Sequence, residues 1–277
     1  RRLAAQRQRA DRSRSFLVST GMLVSLLVAA LLIGGAFAYT DLTRDLPALE
    51  TLPALLNPPE GLLLQPTRIT DRTGTVTLHT FAPTEGPRRY IPLSPANPQH
   101  LPQSLASAVV SVSDPRFYQH NGWDLASLFD PQAHPTLAQQ LTADLLLYDE
   151  PPSLRRALRE RLLAAQLTAR FGRTQILEWY LNSANFGRDA YGAEAAAQLY
   201  FGKPAALLTT AESAILAAVS DSPSLNPYDA PQTALERGQA TLVRMSALGL
   251  LSDEATANAV NETPRFQTPP PAQPEPA

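Results

Sequence analysis

Cysteine is absent from the 277 residues, which excludes a disulfide framework, thiolate catalysis and any zinc-thiolate site. Lysine is nearly absent: of 23 basic residues only Lys203 is one. Tyr200 stands three places before it, so no Ser-x-x-Lys acylation site exists and no Lys-Thr-Gly either. Penicillin binding and transpeptidation are therefore not expected. The four histidines, His79, His100, His120 and His134, show no metal-ligand spacing, and no glycine-rich phosphate loop follows a strand. Basic charge is also scarce beyond the N-terminus. Residues 1–14 hold six arginines and one aspartate, which leaves 17 basic against 24 acidic groups, so the overall net charge of −2 conceals a remainder at −7. That balance argues against a nucleic-acid partner.

What is present begins with a run of 24 uncharged residues, Phe16 to Tyr39, rich in Leu, Val, Ala and Ile. At about 1.5 Å per residue such a helix crosses a ~30 Å hydrocarbon core with some tilt. The basic arm before it, residues 1–15, is expected to stay in the cytoplasm, leaving the rest of the chain outside. A cleaved signal peptide is the alternative, because Ala36-Phe37-Ala38 fits an A-x-A pattern, but signal h-regions run only about 7 to 15 residues. Residues 40–66, rich in Leu and Pro, are expected to form a stalk. Two β-branched runs, Thr67–Thr70 and Thr75–Phe81, flank Asp71-Arg72-Thr73-Gly74 and predict a hairpin. From Ser104 onward the pattern is helical. Ser153 reads as an N-cap before Leu154, Leu158, Leu162 and Leu163, Thr209-x-x-Glu212 as a capping box, and Ser252 as the cap of a last short helix. Residues 266–277 are too proline-rich for a packed element and are expected to be disordered.

Several segments resemble glycosyltransferase family 51, the peptidoglycan glycosyltransferases of class A penicillin-binding proteins and monofunctional transglycosylases. They are Ile176-Leu177-Glu178-Trp179-Tyr180-Leu181-Asn182, Phe186-Gly187, Tyr191-Gly192, the stretch Glu194 to Pro204, Leu208 to Ala218, Ser222 to Pro227 and, upstream, Ile69 to Gly74. The resemblance implies a mainly α, lysozyme-like domain over residues 67–265 with a small β-hairpin, held by one transmembrane helix in the cytoplasmic (inner) membrane and facing outward. It also implies the chemistry. The 4-hydroxyl of lipid II attacks the anomeric carbon of a lipid-linked glycan and undecaprenyl diphosphate leaves, which requires a carboxylate base and cations for the diphosphate.

In the family the base is the glutamate of Glu-Asp-x-x-Phe-x-x-His-x-Gly. Here that motif reads Ser113-Asp114-Pro115-Arg116-Phe117-Tyr118-Gln119-His120-Asn121-Gly122, with a neutral serine at the base position. The family's Gly-Gly-Ser-Thr-x-Thr-Gln-Gln reads Ala133-His134-Pro135-Thr136-Leu137-Ala138-Gln139-Gln140, and the lysine that follows it is Ala143. Arg-Lys-x-x-Glu reads Arg156-Ala157-Leu158-Arg159-Glu160, keeping the second glutamate and losing the lysine. Only 14 residues separate Asp124 from Gln139, so the flap over the donor site is expected to be short.

These departures fall where the chemistry sits, while the packing motifs after Ile176 are nearly complete. The expectation is a domain that keeps the fold, is catalytically impaired, and binds lipid II, nascent glycan or another cell-wall synthase; whether it is an enzyme stays undecided. The alternative is an active, divergent glycosyltransferase with Glu160 or Asp114 as the working carboxylate. Arg116, Gln139, Gln140 and Arg156 are the candidate substrate contacts. A third reading, glycan cleavage on the same fold, would have to rest on Glu160 alone. Bland readings stand beside these: Arg156 and Glu160 form an ordinary i,i+4 pair, Arg116, Arg155 and Arg159 are solvated charge, and Glu178 supports the cleft without acting in it. No cofactor is expected, and a divalent cation near Asp114 and Glu160 stays open.

Overall fold

The computed structural model describes residues 2–59, 61–81, 88–125, 129–130 and 133–269, side chains excepted before Thr20 and at Phe81. It divides into two units, residues 1–46 and 47–277.

The first unit is one helix, α1 (Arg2–Thr43). Its stretch Thr20–Thr43 is long and apolar enough to cross a membrane, and none of it is buried in the protein. Leu26, Leu31, Ile33 and Phe37 stand exposed along it, a pattern that water would penalise and lipid would not. The helix overruns the predicted 16–39 at both ends, because no proline interrupts it.

The second unit is mainly α-helical with a single hairpin among the described residues. A short helix, α2 (Thr51–Leu56), lies inside the predicted stalk. It is no free stalk there. Leu52 and Leu56 are buried, and the Trp179 indole donates to Asn57 Oδ1 at 2.8 Å, so leucines of the Leu- and Pro-rich stretch that suggested a stalk supply an apolar face to the core.

The hairpin pairs β1 (Thr67–Thr70) with β2 (Thr77–Phe81). The second strand starts later than predicted because the amides of Thr75 and Val76 both donate to Asp71 Oδ1, at 3.1 Å each, and so leave the ladder.

Then follow α3 (Gln103–Ser113), α4 (Leu137–Leu145), α5 (Leu154–Ser183), α6 (Ala193–Phe201), α7 (Thr210–Asp221), α8 (Pro231–Ala247) and α9 (Asp253–Val260). The predicted caps form: Ser153 accepts from Arg156 N, Ser252 from Ala255 N, and Thr209 and Glu212 make a reciprocal capping box. α7 packs against both α3 and α8, and α4 lies along α5. α5 breaks at Gly172, whose φ of +76° and ψ of 165° leave the helical region. Only glycine takes that conformation without strain. The half of α5 beyond the break carries Trp179 and Asn182 inward. After α9 the chain does not leave the surface at 266: Phe266 lies 5.8 Å from the Phe201 ring, and the Gln267 amide donates to Tyr200 O at 2.8 Å. The rest of the predicted tail, residues 270–277, lies outside the described residues.

Candidate functional site

The three motif segments converge where the end of α3, the N-terminus of α4 and the first half of α5 meet. α3 delivers Ser113 as its last residue, and Asp114, at φ −153° and ψ 73°, ends the helix. Pro115 cannot continue it. Asp114 is 2% exposed. Its Oδ1 pairs with His120 Nε2 at 2.8 Å and its Oδ2 accepts the Leu137 amide at 3.1 Å, at the open N-terminus of α4. Burial raises its pKa, and the His120 hydrogen bond, the Leu137 amide and Arg116 pull it partly back. The His120 tautomer follows. Its Nδ1 accepts the Gly122 amide at 3.0 Å, so Nε2 carries the proton that Asp114 receives.

Gly122 completes the loop at φ +87°. A Cβ there would lie 1.9 Å from Thr168 Oγ1 on α5, so the turn has room for glycine only. Thr136 donates to the Gly122 carbonyl at 2.7 Å and caps α4 by accepting the Gln139 amide at 3.1 Å.

Gln139 is wholly buried and fully used. Its Oε1 accepts the Asp124 amide at 3.0 Å, which orients the side chain, and its Nε2 donates to Glu160 Oε1 at 2.8 Å. The second oxygen of Glu160 meets His134 Nδ1 at 2.7 Å. Glu160 is 1% exposed. The i,i+4 partnership with Arg156 is not what it makes: Arg156 Nη2 reaches the Ala143 carbonyl at 3.3 Å, and its buried Nε has no hydrogen-bond partner among the described residues.

Ser113, which the resemblance aligns with a glutamate, has its Oγ sealed from solvent and makes no hydrogen bond of regular geometry among the described residues. It sits beside the buried Tyr180 phenol, whose pKa burial raises and which Ser220 and Ser113 act to lower.

The other candidates fall into place around this core. Arg116 forms an ion pair with Asp124 at the surface, where it contributes little to stability. Gln140 donates to the His134 carbonyl at 3.1 Å. Arg159 is not solvated charge, being 2% exposed and paired with Glu150 at 2.9 Å. Glu178 is structural: the Tyr90 hydroxyl donates to Oε1 at 2.6 Å and the Leu93 amide to Oε2 at 2.7 Å. Lys203 pairs with Glu212 at 2.6 Å. Of the short flap, residues 126–128 and 131–132 lie outside the described residues. No group of three or more His, Asp or Glu residues able to hold a metal occurs among the described ones.

Two residues escaped the sequence reasoning. His134 stands where the resemblance places a glycine, and Asp144 directly follows Ala143. Asp144 keeps an exposed outer face, yet desolvation from its inner side raises its pKa, with His134 and Arg156 lowering it and Glu160 raising it. A histidine in a glycine position was the available signal for the first; nothing in the sequence marks the second.

A family model described as transglycosylase matches residues 84–246. Penicillin-binding protein 1A of Aquifex aeolicus is 36% identical over 174 residues, 58% of this chain and 24% of that protein. Penicillin-binding protein 1A of Pseudomonas aeruginosa is 32% identical over 249 residues, 85% of this chain and 28% of that protein. Penicillin-binding protein 2D of Bacillus subtilis is 38% identical over 173 residues, 58% of this chain and 24% of that protein. A crystal structure of penicillin-binding protein 1A from Haemophilus influenzae shares 25% identity, covers 74% of this chain and 21% of that one, and superposes with a TM-score of 0.41, too loosely to argue from. The chain spans 24% to 30% of the length of the first relatives it matches.

Proposed function

Because the chain belongs to the transglycosylase family, we propose that it is a membrane-anchored, extracytoplasmic domain of cell-wall assembly that binds lipid II or nascent glycan, with glycosyl transfer impaired. One observation carries the reading. At the family's base position stands a buried serine hydroxyl, and the two carboxylates that could replace it are both engaged, Asp114 by His120 and Leu137, Glu160 by Gln139 and His134. A carboxylate with both oxygens taken up by protein donors has no oxygen left facing a substrate hydroxyl. Loss of one general base costs about 10² to 10⁴ in rate, and the missing lysines at Ala143 and Ala157 weaken the hold on a departing diphosphate.

The test is lipid II polymerisation by the detergent-solubilised full chain, beside lipid II binding on the same preparation and beside an active class A penicillin-binding protein. Binding with at most slow polymerisation is expected. Polymerisation as fast as the reference enzyme's, abolished by Glu160→Gln, would instead establish Glu160 as a working base. Absence of binding would turn the search to protein partners such as other cell-wall synthases.

A further inference from the structure

The impaired site still contains one oriented base that the family pattern does not provide. His134 is held at both ends: its carbonyl accepts Gln140 Nε2 at 3.1 Å, and its ring meets Glu160 Oε2 at 2.7 Å. Glu160 is an acceptor on both oxygens, since the Asp124 amide turns the Gln139 carboxamide so that its NH2 faces Oε1. The proton in the ring contact therefore sits on Nδ1 of His134, and Nε2 of the neutral ring is left with its lone pair. A buried carboxylate behind an imidazole fixes both tautomer and orientation and stabilises the imidazolium once a proton arrives. The His134 side chain is 22% accessible, whereas Glu160 is 1% accessible. The charged groups near the ring are Glu160 and Arg156 from α5 and Asp144 from α4; the Asp144 carboxyl feels His134, Arg156 and Glu160 together.

We propose that His134, oriented by Glu160, is the general base for the glycosyl transfer that this site retains, in place of the carboxylate missing at Ser113. The inference rests on the function proposed above. In the step, the acceptor 4-hydroxyl forms a bond to the anomeric carbon while its proton passes to His134 Nε2. The bond from that carbon to the diphosphate oxygen breaks, and the diphosphate leaves with the electron pair. The half-buried Arg156, which donates through Nη2 to the Ala143 carbonyl, is the cation assigned to it. One carboxylate, one imidazole and one guanidinium thus divide the orienting, proton-accepting and charge-neutralising roles.

The separating experiment uses His134→Asn in the full chain. The Asn amide nitrogen takes the place of Nδ1 and still donates to Glu160, so the buried contact survives while the base is gone. His134→Ala removes both, and thermal unfolding of each variant checks folding. With lipid II as the probe, His134→Asn is expected to bind as the parent does and to lose the slow polymerisation by about 10²-fold or more. Should His134→Asn polymerise like the parent while His134→Ala does not, the histidine only positions Glu160 and the inference falls. A parent that binds lipid II and makes no polymer also overturns it, leaving the binding function standing. A parent that does not bind lipid II overturns the function itself. If His134→Asn does not fold, His134→Gln takes its place: loss of polymer with binding retained supports the imidazole as base, and a parental rate overturns it.

Discussion

Ser113 is a residue without an ionisable group set in a loop held by several buried hydrogen bonds. The surrounding frame is intact: His120 donates to Asp114, Asp114 receives the Leu137 amide, and Gly122 fits against Thr168 only because it lacks a Cβ. What is missing is the ionisable group itself. Restoring it is not expected to restore the reaction. Ser113→Glu should raise polymerisation by well under the 10² to 10⁴ that a positioned base supplies, because Ala143 and Ala157 still offer no charge to the diphosphate. A chain-length assay on lipid II checks this, and full restoration would contradict the account of the leaving-group side. The new carboxylate would also have to be accommodated beside the Tyr180 phenol.

At the scale of elements, α5 organises the site. Its first half carries Arg156, Glu160 and the buried Arg161, whose Nε donates to the Asp124 carbonyl at 2.9 Å. Its second half, past the break at Gly172, uses Glu178 and Asn182 to hold the extended segment at 90–93. Asn182 accepts the Ile91 amide at 2.8 Å and donates to the Ile91 carbonyl at 2.9 Å, replacing a missing strand partner with one side chain. Asn182→Ala leaves two buried backbone groups unpaired and should cost about 2 to 4 kcal/mol, readable as a fall in the denaturant midpoint at an unchanged slope. The capping predictions at Ser153, Thr209 and Ser252 were legible beforehand because a cap depends on residues three or four apart. Asn182 was legible as part of a motif, but not its partner 91 positions away.

For the whole molecule, the division into an apolar helix and a separately packed unit predicts that the two can be tested apart. Removing residues 1–46 should shift the protein from the membrane pellet to the soluble fraction on carbonate-washed vesicles, with the thermal midpoint of the remainder unchanged. Retention in the pellet would mean that a second surface anchors the protein.

The apolar helix over 16–39, the hairpin about Asp71, the caps and the helical character after Ser104 were readable from residue order alone, since each follows from neighbours within a turn or a strand; that the helix runs on to Arg2 and Thr43 was not. The sequence also shows directly that Ser113, Ala143 and Ala157 carry no ionisable group. Tertiary contact decided the rest. Residues 47–59 pack because Leu52 and Leu56 find a core that their local pattern does not reveal. Both ends of the Gln139 amide are taken up by Asp124 and Glu160, residues 15 and 21 positions away. The proton of His134 lies on Nδ1 because a carboxylate 26 residues further along the chain sits 2.7 Å away, and proximity across such a separation is a property of the folded chain, not of the order of its residues.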